Sequence, residues 1–331
     1  MGPHAGAHRV AFRAAASIGV PLLALYLLGR MDLSIYASFG ALTSLYGRFH
    51  YYGDRVRMQL GAGAIFLVAM TVGTLLSVLH ADITVRIMTV ALIATIVTGI
   101  VSGYKWHPGG ATFAVFSSGA VATMPAEWFN LVQVLVVTTS SVLFSVLLTV
   151  TLGLLQTHSW TRVLRPIQVE AFNADWSVAV TVGVGALLAG LIGQTVDDDH
   201  WYWAMVAASV ILSGAATTAR LTRSVQRFIG TTLGVFIAGA LLWLQLPVIG
   251  IIVSVIILQG TAELLIGRNY GVAMLAVTPL ALLMVSLAHP IAPETLVVDR
   301  IFETFIGSLV GTFVALISAK LRSEQQSKLR G

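Results

Sequence analysis

Residues 55–79 read RVRMQLGAGAIFLVAMTVGTLLSVL, two arginines followed by 22 residues without a charge. A helix needs about 20 mostly apolar residues to cross the roughly 30 Å hydrocarbon core of a bilayer, so this stretch is predicted to be a membrane span with a basic end. Hydropathy windows of about 19 residues extend the pattern to spans near 9–28, 33–47, 58–79, 84–103, 109–125 and 129–155. A second set lies near 175–194, 201–218, 227–246, 248–266, 270–288 and 297–319. Composition agrees: 57% of the residues are hydrophobic and 10% charged, against about 25% charged in a soluble domain, and mean hydropathy is +0.88. The expected fold is an all-α membrane protein of about twelve transmembrane helices.

Basic residues fall on alternate loops. With the N-terminus inside, only Arg30, Arg86 and Arg300 of the 19 Lys and Arg face outward, the asymmetry expected of cytoplasmic loops. Both termini are therefore predicted to be cytoplasmic. The stretch before Arg9 is too short for a signal peptide, so the first span is expected to be retained. The segments expected are 1–156, a first six-helix repeat; 157–174, a cytoplasmic linker; 175–320, a second repeat; and 321–331, a cytoplasmic tail. Six spans per half is an even number, so the repeats should share one orientation, as in parallel-repeat transporters. Ser34-Ile35-Tyr36-Ala37 answers Trp201-Tyr202-Trp203-Ala204, and Gly110-Ala111-Thr112 answers Gly271-Val272-Ala273.

Several chemistries are excluded or unsupported. The chain has no cysteine, which removes disulfides, thiolate metal sites and cysteine nucleophiles. No G-x-x-x-x-G-K-[ST] loop occurs, and the eight histidines include no H-E-x-x-H pair for a metal. Asp197-Asp198-Asp199-His200 is a single acidic cluster and reads as a solvated outer loop. No metal, cofactor or enzymatic activity is expected. The net charge of +5 is distributed as membrane orientation requires, not as a nucleic-acid surface.

The sharpest local pattern is Arg223-x3-Arg227-x2-Gly230-Thr231-Thr232-Leu233-Gly234. Arginines four apart share a helix face, and glycines four apart let helices approach closely. The pair reads either as orientation anchors with helix packing or as a cationic mouth that collects organic anions. At this motif the chain resembles the fusaric acid resistance and aromatic acid exporter superfamily of bacterial inner-membrane proteins. The likeness continues through Tyr270-Gly271-Val272-Ala273-Met274-Leu275-Ala276-Val277-Thr278-Pro279 and Asp299-Arg300-Ile301-Phe302-Glu303-Thr304-Phe305-Ile306-Gly307. It implies six-helix units and efflux of aromatic carboxylates such as hydroxybenzoates. Plant aluminium-activated malate channels look like distant relatives. Many members of the superfamily carry a cytosolic domain after six helices, where this chain has only the short linker.

Substrate-path candidates follow. Tyr36, Phe39, Thr43 and Tyr46 run down one side of the second span, Tyr202 begins the matching eighth, and Arg223, Arg227, Tyr270 and Thr278 complete the set. Aromatic rings could stack on a substrate ring; ordinary helix packing would use the same residues. Thr278-Pro279 either exposes a backbone carbonyl or kinks its helix. Glu303, about one turn from Asp299 and Arg300, is the clearest ionisable residue inside a span, so these three are the coupling candidates, with an Arg300 pair as the structural alternative. Glu263, near Arg268, reads as an interfacial charge. The expected function is a secondary transporter exporting small organic acids, with proton coupling left open. A passive anion channel, a major-facilitator carrier suggested by Gly53-Asp54-Arg55-Val56-Arg57, and a non-transporting envelope component are the alternatives. Expected partners are an organic anion and the lipid bilayer, with a homo-oligomer or accessory envelope protein open.

Overall fold

The computed structural model describes residues 6–48, 50–164, 171–196, 199–214, 217–289 and 292–328. Asp197 and Asp198 of the acidic run, and Arg165 and Pro166 of the linker, lie outside these. Among the described residues the protein is all helical: α1 (Ala7–Leu27), α2 (Ser34–Ala41), α3 (Tyr52–Val78), α4 (Ile83–Gly103), α5 (Thr112–Thr123), α6 (Trp128–Thr157), α7 (Trp160–Leu164), α8 (Trp176–Gly193), α9 (Tyr202–Leu212), α10 (Thr217–Trp243), α11 (Val248–Ile266), α12 (Tyr270–Ala288) and α13 (Pro293–Lys328).

Nine of these helices are long and apolar enough to cross a membrane, and the protein is a multi-pass membrane protein. Large apolar side chains such as Val68, Leu92, Leu147, Phe236 and Phe313 point outward from the long helices, a surface suited to lipid and not to water. Helix starts are set by short polar side chains that satisfy otherwise orphaned amides. Asp82 accepts from the Thr84 amide, Asp175 from those of Ser177 and Val178, and Asn269 from that of Val272. Glu127 and Asn130 form a reciprocal box at the start of α6.

The fifth and eighth predicted spans are shorter than hydropathy suggested, and the second has only a short α-helical centre. α2 has 8 residues, flanked by 3-10 turns over Met31–Leu33 and Leu42–Leu45, α5 has 12 and α9 has 11. At 1.5 Å per residue, 12 residues reach about 18 Å, little more than half the core of a bilayer. Such segments persist at membrane depth only where protein or a water-filled cavity surrounds their ends; every residue of α2 and every residue of α9 except Val210 is buried. Hydropathy continued past their ends because the flanking residues are small and uncharged. At the other extreme, α13 runs 36 residues, so the stretch expected as a tail is helical as far as Lys328.

α3 packs on α5 and α6, α4 on α5, α2 on α6 and α1 on α2; α10 packs on α12 and α13, α11 on α12, α9 on α13 and α8 on α9. Across the halves α1 pairs with α11, α4 with α8, α5 with α9 and α2 with α12. The closest approaches use glycine. A Cβ on Gly307 would strike the Ala204 carbonyl oxygen and come within 2.7 Å of the Ala207 Cβ, and one on Gly234 would come within 2.8 Å of the Met274 carbonyl oxygen.

The three arginines that broke the inner-loop pattern each have a local partner. Arg30 is ion-paired with Asp32 at 2.7 Å, which holds that exposed carboxyl below its usual range. Arg86 donates to the carbonyls of Ala81 and Ala122, the latter an orphaned acceptor near the end of α5. Arg300 is buried in α13 and lies over the Trp203 ring, so it is not an outer-loop charge at all.

Candidate functional site

The three short helices and the ends of their neighbours enclose a cavity of about 360 Å³, within the range of small-molecule sites. Its apolar wall is Leu42 and Leu45 of the 3-10 turn, Phe113 and Phe116 of α5, Val206 and Val210 of α9, and Met274, Leu280 and Met284 of α12. Its charged groups are Arg48, Arg223, Arg227 and Arg300, with Glu263 as the one carboxylate among the described lining residues. Four guanidiniums against one carboxylate leave a cationic excess in a low-dielectric setting, where each charge acts strongly on an entering ion.

The single carboxylate is already engaged. Glu263, near the end of α11, forms an ion pair with Arg48, which follows the 3-10 turn, and both side chains are below 10% exposure. The expectation of a plain interfacial charge at Glu263 near Arg268 is thus corrected: its side chain is buried, and its partner is 215 positions away in sequence. No local pattern near Arg268 could have disclosed that.

Arg227 and Arg300 reach the cavity from two helices packed on each other, α10 and α13. Arg227 in α10 is buried, and its Nη1 donates to the Tyr270 hydroxyl at 3.1 Å. Arg300 in α13 is equally buried, with its guanidinium carbon 3.7 Å from the centre of the Trp203 ring. Neither Nε has a hydrogen-bond partner. A hydroxyl and an indole face are weak compensation for a desolvated cation, and although Glu303 acts on Arg300, the idle Nε of each guanidinium leaves a donor for an anion. His107 lines the same cavity; burial first, then the charges of Arg48, His50 and Arg223, push its imidazole below its ordinary pKa.

Of the candidates expected from sequence, the cavity brings together Arg223, Arg227, Tyr270 and Arg300. Tyr36, Phe39, Thr43 and Tyr46 are buried behind its wall. Phe39 meets Phe116 edge-on at 4.9 Å, Tyr46 meets Phe66 and Trp106, and the Thr43 hydroxyl donates to the Gly40 carbonyl within its own turn. Tyr202 stacks on Phe116 at 5.9 Å. Thr278 is fully buried against Gly234, one position before Pro279.

A second group of ionisable residues lies beyond Trp203. The His200 Nδ1 is 3.1 Å from the Asp299 carboxylate. Glu303 is fully buried, its carboxylate against Gly193 at the end of α8 and within electrostatic reach of Arg300. His200 was dismissed with the acidic loop in the sequence. Its proximity to Asp299, 99 positions away in sequence, comes from α9 packing on α13.

Comparison with known proteins places a family on the second half. Residues 187–314 match the model described as fusaric acid resistance protein-like; these include the Arg223–Gly234 motif, the Tyr270–Pro279 stretch and the Asp299–Gly307 stretch. An uncharacterized membrane protein, YvaC of Bacillus subtilis (strain 168), is 28% identical over 143 residues, 41% of this chain and 23% of that protein. The chain thus spans less than a quarter of the curated relative it matches. No solved structure matches. Over residues 187–314, which contain α9 to α12 and with them Arg223, Arg227, Glu263 and Arg300, the chain is similar to the fusaric acid resistance protein-like family.

Proposed function

We propose that the protein is a secondary transporter that exports small organic acids, aromatic carboxylates foremost, across a bacterial cytoplasmic membrane, and that it is not an enzyme. The observation that carries this reading is the pair of buried arginines, Arg227 and Arg300, on the wall of a 360 Å³ cavity whose one described carboxylate is held by Arg48. A carboxylate docked between them would gain charge-assisted hydrogen bonds, while Phe113, Phe116 and Met284 offer an apolar bed for a ring.

The packing supports a duplicated architecture of twelve crossing segments with parallel halves and both termini inside. The main helix pairs of the first half have counterparts in the second, α3–α5 with α10–α12, α3–α6 with α10–α13 and α2–α6 with α9–α13, and the pairing between halves is reciprocal, α1–α11 with α8–α4. In both halves an arginine near the start of the helix after the short one, α3 or α10, donates its Nε to a glycine carbonyl, Arg55 to Gly47 and Arg220 to Gly214. With the basic ends inside, the cavity opens toward the cytoplasm. The fully buried Tyr202 and Trp203 pack behind Phe116 and Arg300 of its wall, which fits an inward-facing arrangement. Asp299, Arg300 and Glu303, with His200, would then supply the coupling.

The test is flux of a hydroxybenzoate from proteoliposomes with and without an imposed proton gradient, with Arg227→Ala as the comparison. A hydrogen bond to a charged group contributes about 1.5–3 kcal/mol, so the variant is expected to bind the anion roughly ten- to a hundredfold more weakly while inserting normally. Gradient-independent current would favour the passive channel. Flux of sugar or lipid with none of the aromatic acids would overturn the proposal.

A further inference from the structure

A second cavity, of about 280 Å³, lies between the beginnings of α1 and α3 and the end of α6, and its lining carries Arg9, Arg13, Arg48 and Arg55 with no carboxylate among the described residues. Two of its polar groups are built in without partners. Arg13 is 4% exposed and donates one Nη2 bond to the Ser44 carbonyl at 3.0 Å, yet its Nε has no acceptor. Thr149, across the cavity on α6, is fully buried and its hydroxyl is likewise unpartnered. Buried donors without acceptors are rare because each costs about the full desolvation of the group.

The remaining arginines are held in place. Arg55 donates to the Gly47 and His50 carbonyls at 3.0 and 3.1 Å, and its guanidinium lies 4.8 Å over the Tyr52 ring. The Tyr52 hydroxyl and the Arg9 Nη1 both donate to the Gln156 side-chain oxygen, at 2.5 and 3.3 Å. The cavity therefore has cations from α1, α3 and the segment after the 3-10 turn on its wall, and two lining residues, Arg13 and Thr149, each with an idle buried polar atom. A planar carboxylate offers two oxygens on one edge; a phosphate offers oxygens in every direction and fits donors that converge from α1, α3 and α6. The site also lies at the basic helix ends, the level at which phospholipid headgroups sit, and basic pockets between membrane helices are known binders of anionic headgroups.

We propose that this cavity binds a phosphate group, supplied either by an anionic phospholipid headgroup or by free phosphate. Arg48 lines both cavities, so an anion held here acts on the same guanidinium that engages Glu263, and occupancy would tune the central site. This inference stands apart from the transport proposal, because binding is read without flux.

The experiment is thermal unfolding in detergent with added phosphatidylglycerol, phosphatidylcholine, inorganic phosphate or hydroxybenzoate, since a ligand that binds only the folded state raises its apparent stability. Phosphatidylglycerol is expected to raise the midpoint in a saturable way, and phosphatidylcholine is not. Saturation by inorganic phosphate alone identifies the free ion as the source; saturation by the lipid alone identifies the headgroup. Arg13→Gln should weaken the apparent affinity roughly ten- to a hundredfold and Thr149→Val, which keeps the shape, about two- to tenfold, as loss of charged and neutral hydrogen bonds implies. If Arg13→Gln does not fold, Thr149→Val alone decides. Equal effects of both lipids with none from phosphate, saturation by hydroxybenzoate alone, or wild-type affinity in the variants that fold would overturn the proposal.

Discussion

Replacing Glu263 with glutamine separates the charge of the Arg48–Glu263 pair from its shape. The two side chains are 6% and 9% exposed and join the segment after the 3-10 turn to α11. Removing one partner of a buried pair costs about 3–5 kcal/mol, because the other charge is left uncompensated. Glutamine keeps an acceptor oxygen worth about 1 kcal/mol, so the expected loss is about 2–4 kcal/mol. Unfolding in mixed micelles, with Arg48→Met and the double variant closing a mutant cycle, isolates the pairwise part. Coupling of about 1.5 kcal/mol or more is expected. Anion affinity in the central cavity should hold or rise, since the variant deletes the cavity's described carboxylate. A change below about 0.5 kcal/mol with no coupling, as in solvated surface pairs, would refute the claim that the pair is sealed from water.

Gly307→Val should destabilise the protein by about 1–3 kcal/mol, because the added carbons meet the Ala204 carbonyl, which belongs to a buried helix and cannot turn aside; unchanged stability in detergent would contradict the α9–α13 contact. His107 gives a pH signature. Its folded pKa lies below the ordinary value of 6.5, so the unfolded chain takes up the proton more readily, and stability is highest above pH 6.5 and falls as acid carries the solution down toward the folded value. His107→Gln should flatten that acid slope, and parallel slopes for the two proteins would count against it.

Much of this architecture could be read in the sequence. The windows at 248–266 and 270–288 coincide with α11 and α12, because an uninterrupted apolar run between polar ends has one stable form in lipid. The windows at 109–125 and 201–218 overrun α5 and α9, since hydropathy records the preference for lipid and says nothing of where backbone hydrogen bonding stops. Arg223, Arg227 and Tyr270 were legible because a helix repeats its faces at known spacing. Glu263 was not, because its burial is decided by Arg48 on a distant segment. Arg300 was read as facing outward by counting loops, whereas the Trp203 ring gives it a place inside.

The crossing of partners between halves has a consequence for how the chain is made. α1 packs on α11 and α4 on α8, so α1 leaves the ribosome long before its partner, which ends at Ile266. At translation rates of about 5–20 residues per second the interval between their completion is roughly 12–50 s. Through that time α1 must be kept in the membrane without its mate, with Arg13, which in the finished protein is bonded to the Ser44 carbonyl, in a half-built bundle. A newly inserted first half is thus a client for whatever insertase or chaperone holds unpaired helices, and assembly is completed only when the second half arrives.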